Sequence, residues 1–182
     1  AIDGLPQLRP SVEAGFHSLL DTFVLHTHPV YANLATCSAE GADVVNETLA
    51  DMPESHAYIP YINPGAQLTF AIRDTIRETE ARTGKKPAIV FMQNHGLIIN
   101  CASGDECLRL NEEVNRRIAA AYGVSAADWP APALDAGAKE GTWTSATPWL
   151  REKLLSAKWD LDFFTKQSLY PDQLVFLAGQ VA

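Results

Sequence analysis

The stretch that decides the fold is Ala88-Ile89-Val90-Phe91-Met92-Gln93-Asn94-His95-Gly96-Leu97-Ile98-Ile99-Asn100. Its first five residues are an unbroken apolar run, short enough for a strand buried within a sheet. Asn94-His95-Gly96 follows as a tight turn, and Leu97-Ile98-Ile99-Asn100 resumes as a second strand. A connection this short joins two strands antiparallel, so the sheet containing them is not wholly parallel.

Helix signals flank this hairpin on both sides. Upstream, Asn63-Pro64-Gly65 opens a segment with apolar residues at 68, 72 and 76, closed by Thr83-Gly84 and the turn Lys85-Lys86-Pro87. Downstream, Ser103-Gly104-Asp105-Glu106 has capping-box spacing, and Cys107, Leu110, Val114, Ile118 and Ala121 carry a helical stripe to Gly123. Further out, Ala57-Tyr58-Ile59-Pro60-Tyr61-Ile62 reads as an edge strand, because Pro60 donates no ladder hydrogen bond. Thr22-Phe23-Val24-Leu25-His26-Thr27-His28 reads as another strand, ended by Pro29, which opens a helix through Val30, Tyr31, Leu34 and Ala35. Ser11 is placed to cap a helix with apolar positions 12, 16, 19 and 20. Residues 38–56 carry helix and turn signals without a clear face. Residues 124–142, rich in Ala, Pro and Gly, read as an internal connection. A helix is expected from Thr147-Pro148-Trp149-Leu150, and a last strand at Leu174-Val175-Phe176-Leu177. Short strands alternating with helices predict an α/β or α+β sandwich in which helices cover a mixed sheet.

Composition sets the outer bounds. The 182 residues suit one domain over 1–182, and 47% hydrophobic with 20% charged residues is the balance of a globular chain, not a disordered one. A formal charge of −8 gives no basic footprint for nucleic acid and no attraction to an anionic membrane. No apolar run approaches a membrane span, and no signal peptide opens the chain. Cys37, Cys101 and Cys107, an odd number, suggest no disulfide framework and a cytoplasmic home, and Cys101 and Cys107 read as small buried thiols.

The chemistry-bearing residues are histidines. His26 and His28, two apart on a strand, project to the same face, and the turn carrying His95 can swing a third imidazole inward. Three neutral imidazoles leave a divalent cation its full charge and an open position for substrate oxygens. Glu13 leads into the His26/His28 strand and is the candidate carboxylate, as fourth ligand or proton acceptor; as a helix-terminus charge it would only complement the dipole. His17, four residues on, is expected to make a supporting hydrogen bond, and His56 to be solvated. The sequence holds no serine-histidine-aspartate arrangement, phosphate-cradling loop or dinucleotide fingerprint.

Arg9-Pro10-Ser11-Val12-Glu13 with His17, then His26-Thr27-His28-Pro29, then Asn94-His95-Gly96-Leu97 and its long helix, resemble the class II aldolase/adducin family over roughly residues 9–123. The opening motif looks most like the branch related to rhamnulose-1-phosphate aldolases. The resemblance implies a three-layer α/β/α sandwich with a mixed, largely antiparallel central sheet, assembled as a homotetramer. It also implies a divalent ion, zinc foremost with manganese or cobalt as alternatives, on His26, His28 and His95, with Glu13 as acid/base. The implied reaction is reversible cleavage of a ketose phosphate, a small-molecule substrate, through a metal-stabilised enediolate. Epimerases and dehydratases of sugar phosphates share that site, and adducin-like members are non-enzymatic scaffolds. Two departures stand out. The Gly-Asn-x-Ser segment that holds the substrate phosphate in the family is absent, and the abrupt start points to a missing N-terminal portion. The tyrosine that serves as acid in some members has no spacing match here, leaving Tyr58, Tyr61 and Tyr122 as candidates.

Overall fold

The computed structural model describes residues 10–125 and 132–156. The chain divides into two compact units, Ala1–Tyr122 and Gly123–Ala182. The first contains a four-stranded sheet in the order β1-β4-β3-β2, with β1 Phe23–Thr27, β2 His56–Ile59, β3 Ile89–Met92 and β4 Gly96–Cys101. β4 is antiparallel to both β1 and β3, and β2 is parallel to β3, so the sheet is mixed and largely antiparallel.

The alternation of apolar residues along β3 and β4 builds two cores, one on each face. Ile89 and Phe91 of β3, with Leu97, Ile99 and Cys101 of β4, meet helices α2 (Val30–Thr36), α3 (Gly41–Thr48) and α5 (Gly104–Ala121). Val90, Met92 and Ile98 point the other way and meet Phe16 of α1 (Ala14–His17) and Leu68, Ile72 and Ile76 of α4 (Ala66–Thr83). The result is three layers, helix–sheet–helix, and both central strands are buried throughout. Each fully buried Leu or Ile contributes ~1.5–3 kcal/mol, which is why the continuous apolar runs of β3 and β4 occupy the sheet's centre.

The helix ends follow the sequence signals in most places. Ser103 Oγ accepts from the Glu106 amide at 3.2 Å and starts α5 as the capping box predicts. Its buried stripe runs through Cys107, Leu110, Val114 and Ile118 and closes on Ala119; Ala121 is exposed. Gly84 ends α4 with φ 72°, a left-handed conformation that glycine adopts without a Cβ penalty. The expected helix after Ser11 is much shorter, a single turn of four residues: Ser11 Oγ accepts from the Glu13 amide at 3.2 Å, and 3₁₀-type bonds carry the chain on to Leu20. The ambiguous stretch 38–56 contains α3, whose Val45 reaches the core with Leu49 just beyond it.

In the second unit, the predicted connection holds β5 (Leu134–Ala136), paired antiparallel with β6 (Trp143–Ser145). Pro148 then opens α6 (Pro148–Ser156), as its fixed φ favours. The strand expected at 174–177 lies outside the described residues. Among the described residues, no helix is long and apolar enough to cross a membrane.

Candidate metal centre

At the end of the sheet where β1 and β3 finish and β4 begins, Glu13, His26, His28 and His95 come together. One ligand atom from each lies within 4.8 Å of all the others. The three imidazole centroids are 5.0 to 5.2 Å apart, with ring planes at 66° to 75°. Glu13 Oε1 is 3.3 Å from His26 Nε2 and 3.5 Å from His95 Nε2. The four residues expected from sequence therefore share one place.

Each side chain has its own structural support. His26 lies on β1 opposite Ile98, on the sheet face covered by α1, and Phe16 packs edge-on against its ring at 5.5 Å. His26 Nδ1 lies 3.0 Å from the Leu97 carbonyl oxygen. A carbonyl can only accept, so Nδ1 carries the proton and Nε2 presents its lone pair to the site. His28 sits one residue past the end of β1, against Gly96. A Cβ on Gly96 would lie 2.5 Å from His28 Cδ2 and 2.5 Å from the Thr27 carbonyl oxygen, so only glycine lets the two strand ends approach. His95 is 6% exposed in the β3–β4 turn. That turn is pinned by three amides: Gln93 to the Ile59 carbonyl at 2.9 Å, Asn94 to the Thr36 carbonyl at 2.9 Å, and His95 to the Met92 carbonyl at 3.1 Å. Asn94 takes the positive φ of 53° that the tight turn needs.

Burial, the largest cause for each, lowers the pKa of His26 and His95; for His95 the neighbouring His26 and His28 lower it further. Both imidazoles are thereby held neutral at pH 7, the form that ligates metals. A conflict follows at His26. Its Nε2 lone pair faces the Glu13 carboxylate, another acceptor, and among the described residues this buried nitrogen has no hydrogen-bond partner. Two lone-pair donors held this way are what a cation between them satisfies, and the set of three imidazoles and one carboxylate suits a divalent ion with a position left for substrate.

The family model of the class II aldolase and adducin N-terminal domain matches residues 1–122. The chain belongs to the class II aldolase/adducin family. Two solved structures are similar to it: the N-terminal class II aldolase domain of a conserved protein from Thermoplasma acidophilum, and an aldolase II superfamily protein from Pseudomonas syringae. The first is 24% identical with a TM-score of 0.47, over 60% of this chain and 46% of that one. The second is 19% identical with a TM-score of 0.40, over 67% of this chain and 49% of that one. The chain thus spans about half the length of these structures. No curated protein matches it.

Other sequence expectations of this family member fare differently. Among the described residues, the His17 side chain makes no supporting hydrogen bond; it is exposed, stacks on Phe16 at 4.8 Å, and its ring centre lies 6.4 Å from that of His26. His56 is not simply solvated: it is half-buried at the opposite end of the sheet, with Nε2 at 3.2 Å from Asn46 Oδ1. Of the three tyrosines, Tyr122 shares a 2.8 Å hydrogen bond with Ser38, and Tyr61 donates to Asn63 Oδ1 at 3.0 Å. The Tyr58 hydroxyl is buried without a partner among the described residues, and burial pushes its pKa up to about 12.

Sequence reasoning missed the supports. Asn115 Oδ1 accepts from the Ala32 amide at 3.1 Å, capping from α5 the helix that follows His28-Pro29, whose own N-cap, Pro29, offers no side-chain bond. Asn111 accepts from the Thr27 hydroxyl at 3.2 Å and from Asn115 Nδ2 through its carbonyl at 2.8 Å. Asparagines four apart on the inner side of a helix were the available signal.

Proposed function

We propose that this protein is a divalent-metal-dependent lyase that reversibly cleaves a ketose phosphate by an aldol reaction. The observation that carries the reading is the desolvated His26 Nε2, its tautomer fixed by the Leu97 carbonyl, facing Glu13 Oε1 at 3.3 Å. His26, His28 and His95 would hold the ion, zinc in the first instance, with manganese or cobalt as alternatives, and Glu13 stands at its edge. Bound there, the cation would supply Lewis-acid polarisation of the ketose carbonyl and offset the negative charge of the enediolate left after cleavage, an effect of several kcal/mol.

The chain's own groups do the rest. The C4 hydroxyl of the substrate passes its proton to the Glu13 carboxylate, its electrons form the aldehyde carbonyl, and the C3–C4 bond breaks with its pair moving into the enediolate. Glu13 then delivers a proton to C3, and in the synthetic direction an oxygen of the same carboxylate takes it back. The 30% exposure of the Glu13 side chain leaves it in reach of a substrate, while Phe16 and the His95 turn shield the imidazoles from water. The reading includes a homotetramer, as the resemblance implies, resident in the cytoplasm, as the three cysteines without paired spacing suggest.

Elemental analysis and product analysis of the full-length protein test this together. One equivalent of divalent metal and release of an aldehyde from a ketose phosphate are expected. Stoichiometric metal with an epimer or a dehydrated sugar as product would move the assignment to another reaction of the family. A chain that binds no divalent ion would support the adducin-like scaffold instead.

A further inference from the structure

At the end of the sheet opposite the four-residue cluster, a cavity of about 290 Å³ opens between the start of β2, the C-terminus of α4 and α3. Its polar lining is Asn46, Glu54, Ser55, His56, Arg82, Thr83 and Lys85. We propose that this cavity is a second ligand site, binding the dianion of phosphate or of a small phosphomonoester.

The charge balance carries the proposal. In a chain with a net charge of −8, Arg82 and Lys85 make no ion pair among the described residues. Lys85 Nζ reaches only the Pro53 carbonyl, at 3.3 Å, which leaves its full charge and further N–H donors free. The one carboxylate in the lining, Glu54, is already engaged by Arg109 at 3.1 Å. Neutral donors complete the set. His56 donates from Nε2 to Asn46 Oδ1, so the Asn46 amide N–H groups remain available. Ser55 Oγ has only a 3.4 Å contact with Thr83 Oγ1. A guanidinium, an ammonium and several neutral donors around a small cavity are the complement of a tetrahedral oxyanion with three exposed oxygens.

The competing role for these cations is to offset the α4 dipole, whose partial negative end lies here. That end is already satisfied by other groups: Thr83 Oγ1 donates to the Thr79 carbonyl at 2.8 Å, and the Gly84 amide to the Glu80 carbonyl at 2.8 Å. Two full positive charges exceed the half charge of a helix end. His56 feels the surplus: burial first and Arg82 second hold its imidazole below the ordinary range.

The test is a titration of the full-length protein with inorganic phosphate at constant ionic strength, followed by NMR of the histidine ring protons. A saturable shift of the His56 signals is expected. It should weaken about tenfold or more in the exposed pair Arg82→Gln/Lys85→Gln, as loss of charge-assisted bonds requires. Methyl phosphate in the second arm identifies the source: tighter binding than inorganic phosphate assigns the site to an organic phosphate, and weaker binding to the free ion; either sustains a phosphate site. No saturable shift of His56, an equal shift in the double variant, or an equal response to chloride at matched ionic strength would each overturn it and leave the cations to the helix end. Because the reporter is His56, and the other four histidines are read in the same spectra, the outcome is independent of whether the His26/His28/His95 group binds metal.

Discussion

The two ends of the four-stranded sheet use the same residue type for opposite purposes. At one end, three imidazoles and a carboxylate crowd together, and burial lowers the pKa of His26 and His95. At the other, a single imidazole, His56, is held neutral by burial and by a neighbouring guanidinium, with no free carboxylate in the cavity lining. Burial lowers the pKa in both places, so a depressed histidine does not by itself mark a metal site. What differs is the company: lone pairs converging on a common point call for a cation, and unpaired cations call for an anion.

The largest effect that would break this contrast is on metal content. His95→Ala removes one of three imidazoles, and its affinity loss for zinc should exceed the ~10–100-fold typical of losing an outer-shell partner. Calorimetry of the purified variant against Zn²⁺ is the check, with circular dichroism to confirm the fold. The parent should bind one equivalent and no second, since the opposite end offers cations and no free carboxylate. Undiminished zinc binding by His95→Ala would remove it from the ligand set.

Glu13→Gln comes next. The substitution keeps the size of the side chain and removes its capacity to take a proton. General acid/base catalysis typically contributes ~10²–10⁴ in rate. A helix-dipole role would contribute only ~0.3–1 kcal/mol and would touch stability, not turnover. The α1 turn that follows Glu13 is four residues long, which leaves little dipole to complement. Turnover on a cleavable ketose phosphate should fall by the larger factor while the melting temperature hardly moves. A variant with near-normal turnover would leave Glu13 no chemical part.

Gly96→Ala probes how the strand ends are allowed to meet. The added Cβ would fall 2.5 Å from a backbone oxygen, that of Thr27, and 2.5 Å from the His28 ring. A side chain can rotate away, but the carbonyl cannot without opening the β1–β4 pairing. Overpacking of this kind costs ~1–3 kcal/mol. Chemical denaturation should register that loss, and zinc affinity should fall with it because His28 is displaced. An unchanged midpoint would mean that the two strand ends have more freedom than their spacing implies.

Much of this was legible in the sequence because it depends on period and on turn chemistry. Two histidines at strand spacing and a glycine-flanked turn after an apolar run place three imidazoles at one end of a sheet whatever surrounds them. The capping box of α5 and the glycine end of α4 are likewise local codes. The rest depends on partners distant in sequence. Nothing near His26 shows that its Nδ1 bonds the Leu97 carbonyl, 71 residues away. Nothing near His56 shows that Arg82 lowers its pKa. Residues 38–56 hid α3 because its eight residues offer the core only Gly41 and Val45, too few to set a period. The helix expected after Ser11 is cut to one turn because Gly15 and Ser18 weaken its propensity and the chain tightens into 3₁₀ turns.

The smallest expected effect concerns that distant support. Asn115 is 8% exposed, and its side chain has two tasks: Oδ1 caps α2 through the Ala32 amide, and Nδ2 donates to Asn111, at its carbonyl and at Oδ1. Pro29 begins α2 without a cap of its own, so the helix that turns the chain away from His28 depends on this residue of α5. Loss of a capping side chain costs ~0.5–2 kcal/mol. Asn115→Ala should therefore lower the melting temperature by a few degrees, the shift expected for ~1 kcal/mol in a unit of this size. Asn115→Asp separates the two tasks, because it keeps an acceptor for the Ala32 amide and gives up both bonds donated to Asn111. If capping is the main contribution, the Asp variant recovers most of the stability lost in Ala, and its zinc affinity stays close to that of the parent. If Asp is as damaging as Ala, the bonds to Asn111 matter more, and Asn115 serves to brace α5 rather than to set the path of the chain beyond His28.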